Sequence, residues 1–140
     1  EANQYGLLGN TANAIAPGKR MLSSMTPTLV LKDNAPVLIT GSPGGSTIIT
    51  TVLQVILNVI DHGQSLTAAV AAPRVHHQWQ PDVIDYEQGR LSAAVIADLE
   101  ARGHTLQARS DIGVANSILV TAGQFEGVAD ARDMGAAAGF

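Results

Sequence analysis

Cysteine is absent from this chain. That excludes disulfides, thiolate metal sites and a Cys nucleophile, and it fits either redox compartment. Aromatic residues make up only 4% of the 140 residues. The core must therefore be built from Val, Ile, Leu and Ala, with Gly in the tight places. Basic residues are scarce, eight Lys and Arg spread thinly, and the formal net charge is −4. No basic cluster exists, so nucleic acid and anionic membrane surfaces are poor partners. No run is long and apolar enough to span a membrane, because 48–60 is broken by Thr50, Thr51, Gln54 and Asn58. Residues 1–18 show no basic start followed by an apolar stretch, so no signal peptide is read there. No repeat or low-complexity linker is present.

What is there is apolar. Hydrophobic residues reach 46%, enough for a folded domain or a piece of one. Residues 1–23, rich in Asn, Gly, Ala and Pro, read as an extended loop. Runs at 28–32 and 37–40 flank the turn signal Asp33-Asn34 and read as a hairpin. A helix is expected over 47–62, capped by Ser46 and ended by Gly63. It is apolar on most faces, which suits the interior of a larger protein. A short helix over 66–72 stops at Pro73. Further strands are expected at 83–87, 105–109, 117–121 and 124–128, the last two as a hairpin about Ala122-Gly123. A helix over 92–102 should turn Val95, Ile96 and Leu99 inward. The mixture indicates an α+β or layered α/β/α class.

Four segments carry candidate chemistry. In Pro17–Thr28, the adjacent hydroxyls of Ser23 and Ser24 lie in a loop restricted by Pro17 and Pro27. Such a pair can grip a carboxylate or simply cap a turn. Gly41–Gly45 (GSPGG) joins a strand to a helix. Its backbone N–H groups could cradle a phosphate, form an oxyanion hole or merely close a tight turn. The phosphate-binding loop needs Lys after its last Gly, and Ser46 stands there instead. In 72–82, His76 and His77 are adjacent, a spacing that points the rings apart on a strand and suits chelation poorly. They read as loop-to-core hydrogen bonders, with Trp79 as a packing anchor. Asp130 and Arg132 can pair with each other or with a neighbouring segment, a surface ion pair being the favoured reading, and Asp85, Glu87 and Asp111 read as solvated. No cofactor or metal is called for.

Together these segments resemble the γ-glutamyltranspeptidases. PGKRMLSSMTPT is similar to that family's Pro-x-Lys-Arg-Pro-Leu-Ser-Ser-Met-x-Pro-Thr loop. GSPGG, APRVHHQWQPD and the tail 129–139 follow in the family's order. The resemblance implies an N-terminal-nucleophile (Ntn) hydrolase with an α/β/β/α sandwich. In such enzymes a precursor cuts itself, and the new N-terminal Thr of the small subunit attacks a γ-glutamyl donor such as glutathione. Water or an amino-acid or peptide acceptor then takes the γ-glutamyl group. Carried over, Ser23 and Ser24 hold the donor's α-carboxylate, and Gly44 and Gly45 supply the oxyanion-hole N–H groups.

The sequence departs from the family pattern at three points. It opens with Glu1 rather than a Thr pair, Met21 replaces a Pro, and Ala131 replaces another. The expectation is a single unit over 1–140, the C-terminal part of a small subunit. The nucleophile and the groups holding the donor's α-amino group would lie upstream, and the large subunit would be a partner. Alone, such a chain should be inactive and expose apolar surface. Family habit implies a periplasmic, secreted or cell-surface enzyme. A related acylase of the cephalosporin or glutaryl type, or a non-catalytic relative, would share the same loops.

Overall fold

The computed structural model describes residues 2–21, 23 and 25–139. Among them seven strands form two sheets, accompanied by three α-helices. The first sheet is antiparallel, in the order β1 (Thr28–Lys32), β2 (Ala35–Thr40), β6 (Ser117–Thr121), β7 (Gln124–Val128). The second comprises β3 (Val75–His76), β4 (Ile84–Glu87) and β5 (Leu106–Arg109), with β4 and β5 parallel. The α+β class expected from the sequence is what the chain adopts.

Both hairpins form at their expected turns. Asp33 and Asn34 have φ of 50° and 66°, and Ala122 and Gly123 have 48° and 81°. Two consecutive positive φ values make the turn whose twist matches the paired strands. Strand β2 starts two residues earlier than expected and runs through Pro36, which lies beyond the stretch bonded to β6. There its missing N–H costs no ladder bond.

Helix α1 (Thr47–Ile60) and helix α2 (Leu66–Ala71) pack on one face of the four-stranded sheet. Leu38, Val55, Leu66, Val70 and Ala115 form the core between them. Only one side of α1 is buried, at Thr47, Ile48, Thr51, Val52 and Val55. Ile49, Leu53, Leu57 and Ile60 follow helical spacing along an exposed stripe. The other face of the sheet is also apolar and open. Leu29, Ile39 and Ile118 lie in one cross-strand row, with Leu31 and Phe125 beside them, all exposed.

Two expectations about the helices fail. Ser46 makes no side-chain cap; Thr47 instead bonds back to Gly44. In α3 (Ala93–Ala101), capped by Ser92, Val95 is exposed and only Ile96 and Leu99 are half-buried, because the helix has little to rest on besides β5.

Candidate active site

Strand β2 ends at Thr40, whose buried hydroxyl bonds Ser117 Oγ at 2.8 Å. The chain then turns through Gly41–Ser46 into α1. Gly44 has φ 137° and Gly45 φ 61°, both unfavourable for a side chain. Space is lacking as well. A β-carbon at Gly44 would collide with Thr47 Oγ1, and one at Gly45 would lie 2.5 Å from the Tyr5 ring. The carbonyls of both glycines are used by the first turn of α1. Thr47 N–H and Oγ1–H donate to Gly44 O at 3.2 and 2.9 Å, and Ile48 N–H to Gly45 O at 3.4 Å. Among the described residues, neither glycine's N–H donates to a protein acceptor. N–H groups at a helix N-terminus can hold negative charge.

A polar cleft of about 270 Å³ opens beside this turn, lined by Tyr5, Gly44, Thr47, His76 and Gln78, with Asp85 and Arg109 also on its wall. Its side is tied together by a relay. His76 is buried between Thr50 Oγ1 (2.8 Å, at Nδ1) and Gln78 Oε1 (3.0 Å, at Nε2). Gln78 Nε2 in turn donates to Tyr5 O at 2.8 Å. His77 faces elsewhere, toward Asp82 at 3.0 Å. The two rings diverge, as expected for neighbours on an extended segment. Trp79 is no packing anchor: it is 70% exposed, on a backbone with φ 69°.

Ser23 is exposed, and its Oγ accepts a bond from Met25 N–H at 3.2 Å. Ser24 lies outside the described residues. Their loop meets the glycine turn at its end, where Pro27 Cα is 3.8 Å from the β-carbon position of Gly41.

The largest departure from the sequence reading is a buried ion cluster. Asp130 and Arg132 are not a surface pair, and Glu87 is not solvated. Arg74, Glu87, Asp130 and Arg132 all have side chains about 1–2% exposed. Arg74 Nη2 donates to Asp130 Oδ2 at 2.6 Å, and Arg132 Nη2 to Glu87 Oε2 at 2.6 Å. Arg132 Nη1 also reaches Asp130 Oδ1 at 3.1 Å. Asp85 is paired too, with Arg109 Nη1 at 2.9 Å across β4 and β5. Burial alone would raise the Glu87 carboxyl. The bond from Arg132 and the N–H groups of Ile112 and Arg74 outweigh it and hold Glu87 below the ordinary range. Asp130 is likewise raised by burial but lowered overall by Ala115 N–H and Arg74. Burial pulls the Arg74 guanidinium below its usual value. It pulls Arg132 down as well, but Glu87 and Asp130 raise that residue overall. Arg74, Glu87 and the Asp130–Arg132 pair are far apart in sequence, and only the fold shows that they meet.

The γ-glutamyltranspeptidase family profile matches residues 1–140. The chain is 48% identical over 133 residues to the glutathione hydrolase proenzyme of Escherichia coli (strain K12), covering 94% of this chain and 23% of that protein. It is 44% identical to the Pseudomonas aeruginosa proenzyme over 96% of this chain and 25% of that one. The γ-glutamyltranspeptidase of Pseudomonas nitroreducens complexed with L-DON superposes with a TM-score of 0.94 at 43% identity, over 100% of this chain and 74% of that one. The Helicobacter pylori T380A mutant gives 0.91 at 47% identity, over 95% and 74%. The chain thus spans about a quarter of the curated relatives it matches. By the profile match over residues 1–140 and these similarities, the chain belongs to the γ-glutamyltranspeptidase family.

Proposed function

We propose that this chain is the C-terminal portion of an enzyme that transfers the γ-glutamyl group of glutathione or a related donor to water or to an amino-acid or peptide acceptor. The observation that carries this reading is the Gly44-Gly45 turn. It presents two N–H groups at the start of α1 that meet no acceptor among the described residues, and it leaves no room for a β-carbon. As a nucleophile adds to the γ-carbonyl carbon, the carbonyl oxygen gains negative charge. Fixed N–H donors stabilise that oxyanion more than the neutral carbonyl, which lowers the barrier. The nucleophile is an N-terminal Thr hydroxyl contributed from outside this chain. Collapse of the tetrahedral intermediate expels the amine and leaves a γ-glutamyl ester. Water or an acceptor amine then attacks that ester through a second oxyanion held by the same donors.

Ser23 and Ser24 bind the donor's α-carboxylate, their hydroxyls donating to its oxygens. The open sheet face and the apolar stripe of α1 are covered by the upstream segment and the large subunit. The complete enzyme works in the periplasm, at the cell surface or outside the cell.

The two assignments separate kinetically in the complete protein. Gly44→Ala should lower kcat on the order of a hundredfold while KM changes little, because the lost interaction belongs to the transition state. Ser23→Ala with Ser24→Ala should chiefly raise KM. Release of chromophore from a γ-glutamyl anilide reads both. Unchanged kcat in a folded Gly44→Ala protein contradicts the oxyanion role, and an unchanged KM in the double variant contradicts the carboxylate grip.

A further inference from the structure

Ile112–Ala115 has no regular structure, yet buried charged side chains bond its backbone. Glu87 Oε1 accepts from Ile112 N–H at 3.0 Å. Arg74 Nη1 donates to Ile112 O at 2.9 Å and to Gly113 O at 3.2 Å. Asp130 Oδ2 accepts from Ala115 N–H at 2.7 Å. Three members of the buried ion cluster therefore spend bonds on this one stretch of backbone. Bonds to charged groups are stronger than neutral ones, and burial protects them from screening.

The other side of the stretch meets the glycine turn. Val114 N–H donates to Ser42 Oγ at 3.0 Å, and Ser42 Oγ–H donates onward to Pro43 O at 2.7 Å. Gly113, at φ 67°, is wedged between the turn and α1. A β-carbon there would lie 2.5 Å from Ser42 Oγ and 2.8 Å from Thr51 Oγ1. Gly113 Cα also sits 3.8 Å from the β-carbon position of Gly44. Thr51 Oγ1 is buried and finds no partner among the described residues, so the fit on that side is made by contact alone.

We infer that Ile112–Ala115 is a positioning strap for the Gly44 and Gly45 N–H groups, with Ser42 and Gly113 as the positioning residues that connect the buried ion cluster to the turn. The inference rests on the oxyanion reading of that turn. A glycine-rich turn has few intrinsic restraints. Oxyanion donors work only if held in place before charge develops. The carbonyls are fixed by Thr47 and Ile48 from the helix side, and the strap fixes the opposite side through Ser42 and close packing at Gly113.

The test uses the complete, processed enzyme with a γ-glutamyl anilide. Ser42→Ala removes the Val114 bond and adds no bulk. It should lower kcat on the order of ten- to a hundredfold, as a small displacement of donors can, with KM within about twofold. Affinity for a boronic acid analogue of the donor, which forms a tetrahedral adduct, should fall by a similar factor. Affinity for glutamate, which forms none, should hold. Gly113→Ala should show the same pattern more strongly if its melting temperature shows that it folds. Parent-like kcat in Ser42→Ala overturns the strap. So does an equal loss of boronate and glutamate affinity, which would mean general damage to the site. If Gly44→Ala is crippled while Ser42→Ala is normal, the strap falls and the oxyanion reading stands. If Gly44→Ala keeps its kcat, the oxyanion reading falls and the strap with it.

Discussion

The residues that matter most to the architecture are those whose character changes when the chain folds. Glu87 and Asp130 look like solvated carboxylates in the sequence, with Arg74 thirteen positions before Glu87. Folding removes all four charges of the cluster from water and gives each carboxylate both guanidinium and backbone N–H partners. Removing one partner strands the others. Asp130→Ala should therefore cost about 3–5 kcal/mol of stability, measured by chemical denaturation of the complete protein. The acid limb follows from the same bonds. Glu87 and Asp130 are held below their ordinary values, so their contribution is complete above the unfolded carboxylate range, near pH 4, and is lost as pH falls through the folded values. The drop in stability below about pH 4 should be shallower in Asp130→Ala than in the parent. An equal acid slope would contradict this assignment.

At the scale of elements, the sequence was most legible where local chemistry dictates geometry. Asp33-Asn34 and Gly123 mark their turns because positive φ is cheap for Asn, Asp and Gly, whereas Ala122 adopts φ 48° without that preference. Helix α1 follows its apolar spacing and ends three residues before Gly63. What could not be read was set at long range. The two-residue strand β3 is too short to stand out in the sequence; it pairs with β4 and is held from the other side by Gln54 on α1, which accepts from Val75 N–H and donates to Val75 O. Ser46 makes no side-chain cap bond at the start of α1, and the Thr47 hydroxyl donates to the Gly44 carbonyl there. Of the candidate site, GSPGG was recognisable from its glycines, whereas the strap facing it, which begins 70 residues beyond Ser42, carries no motif other than Gly113. The hairpin gives a clean local test. Asn34→Ala, at φ 66°, should destabilise by about 1 kcal/mol, and Asn34→Gly should be neutral or slightly stabilising. Thermal melts that rank Ala above Gly would contradict the turn geometry.

The molecule as a whole has a closed side and two open ones. Between the four-stranded sheet and helices α1 and α2 lies a dry core. Beyond them, Leu29, Ile39, Ile118 and Phe125 on the sheet, and Ile49, Leu53 and Ile60 on α1, face outward. Apolar faces of this extent suit a chain that completes a larger assembly. The chain's length agrees, about a quarter of its curated relatives. The glycine turn, the serine loop and the strap would then be one wall of a site whose nucleophile comes from elsewhere in the protein.

The most direct measurement is chromophore release by the complete gene product and by this chain alone, each offered a γ-glutamyl anilide and a glutaryl anilide. The account predicts that the complete protein cleaves the γ-glutamyl compound and strongly prefers it to the glutaryl one, while the isolated chain cleaves neither. A complete protein that matures but prefers the glutaryl anilide, or cleaves neither compound, would contradict the γ-glutamyl assignment.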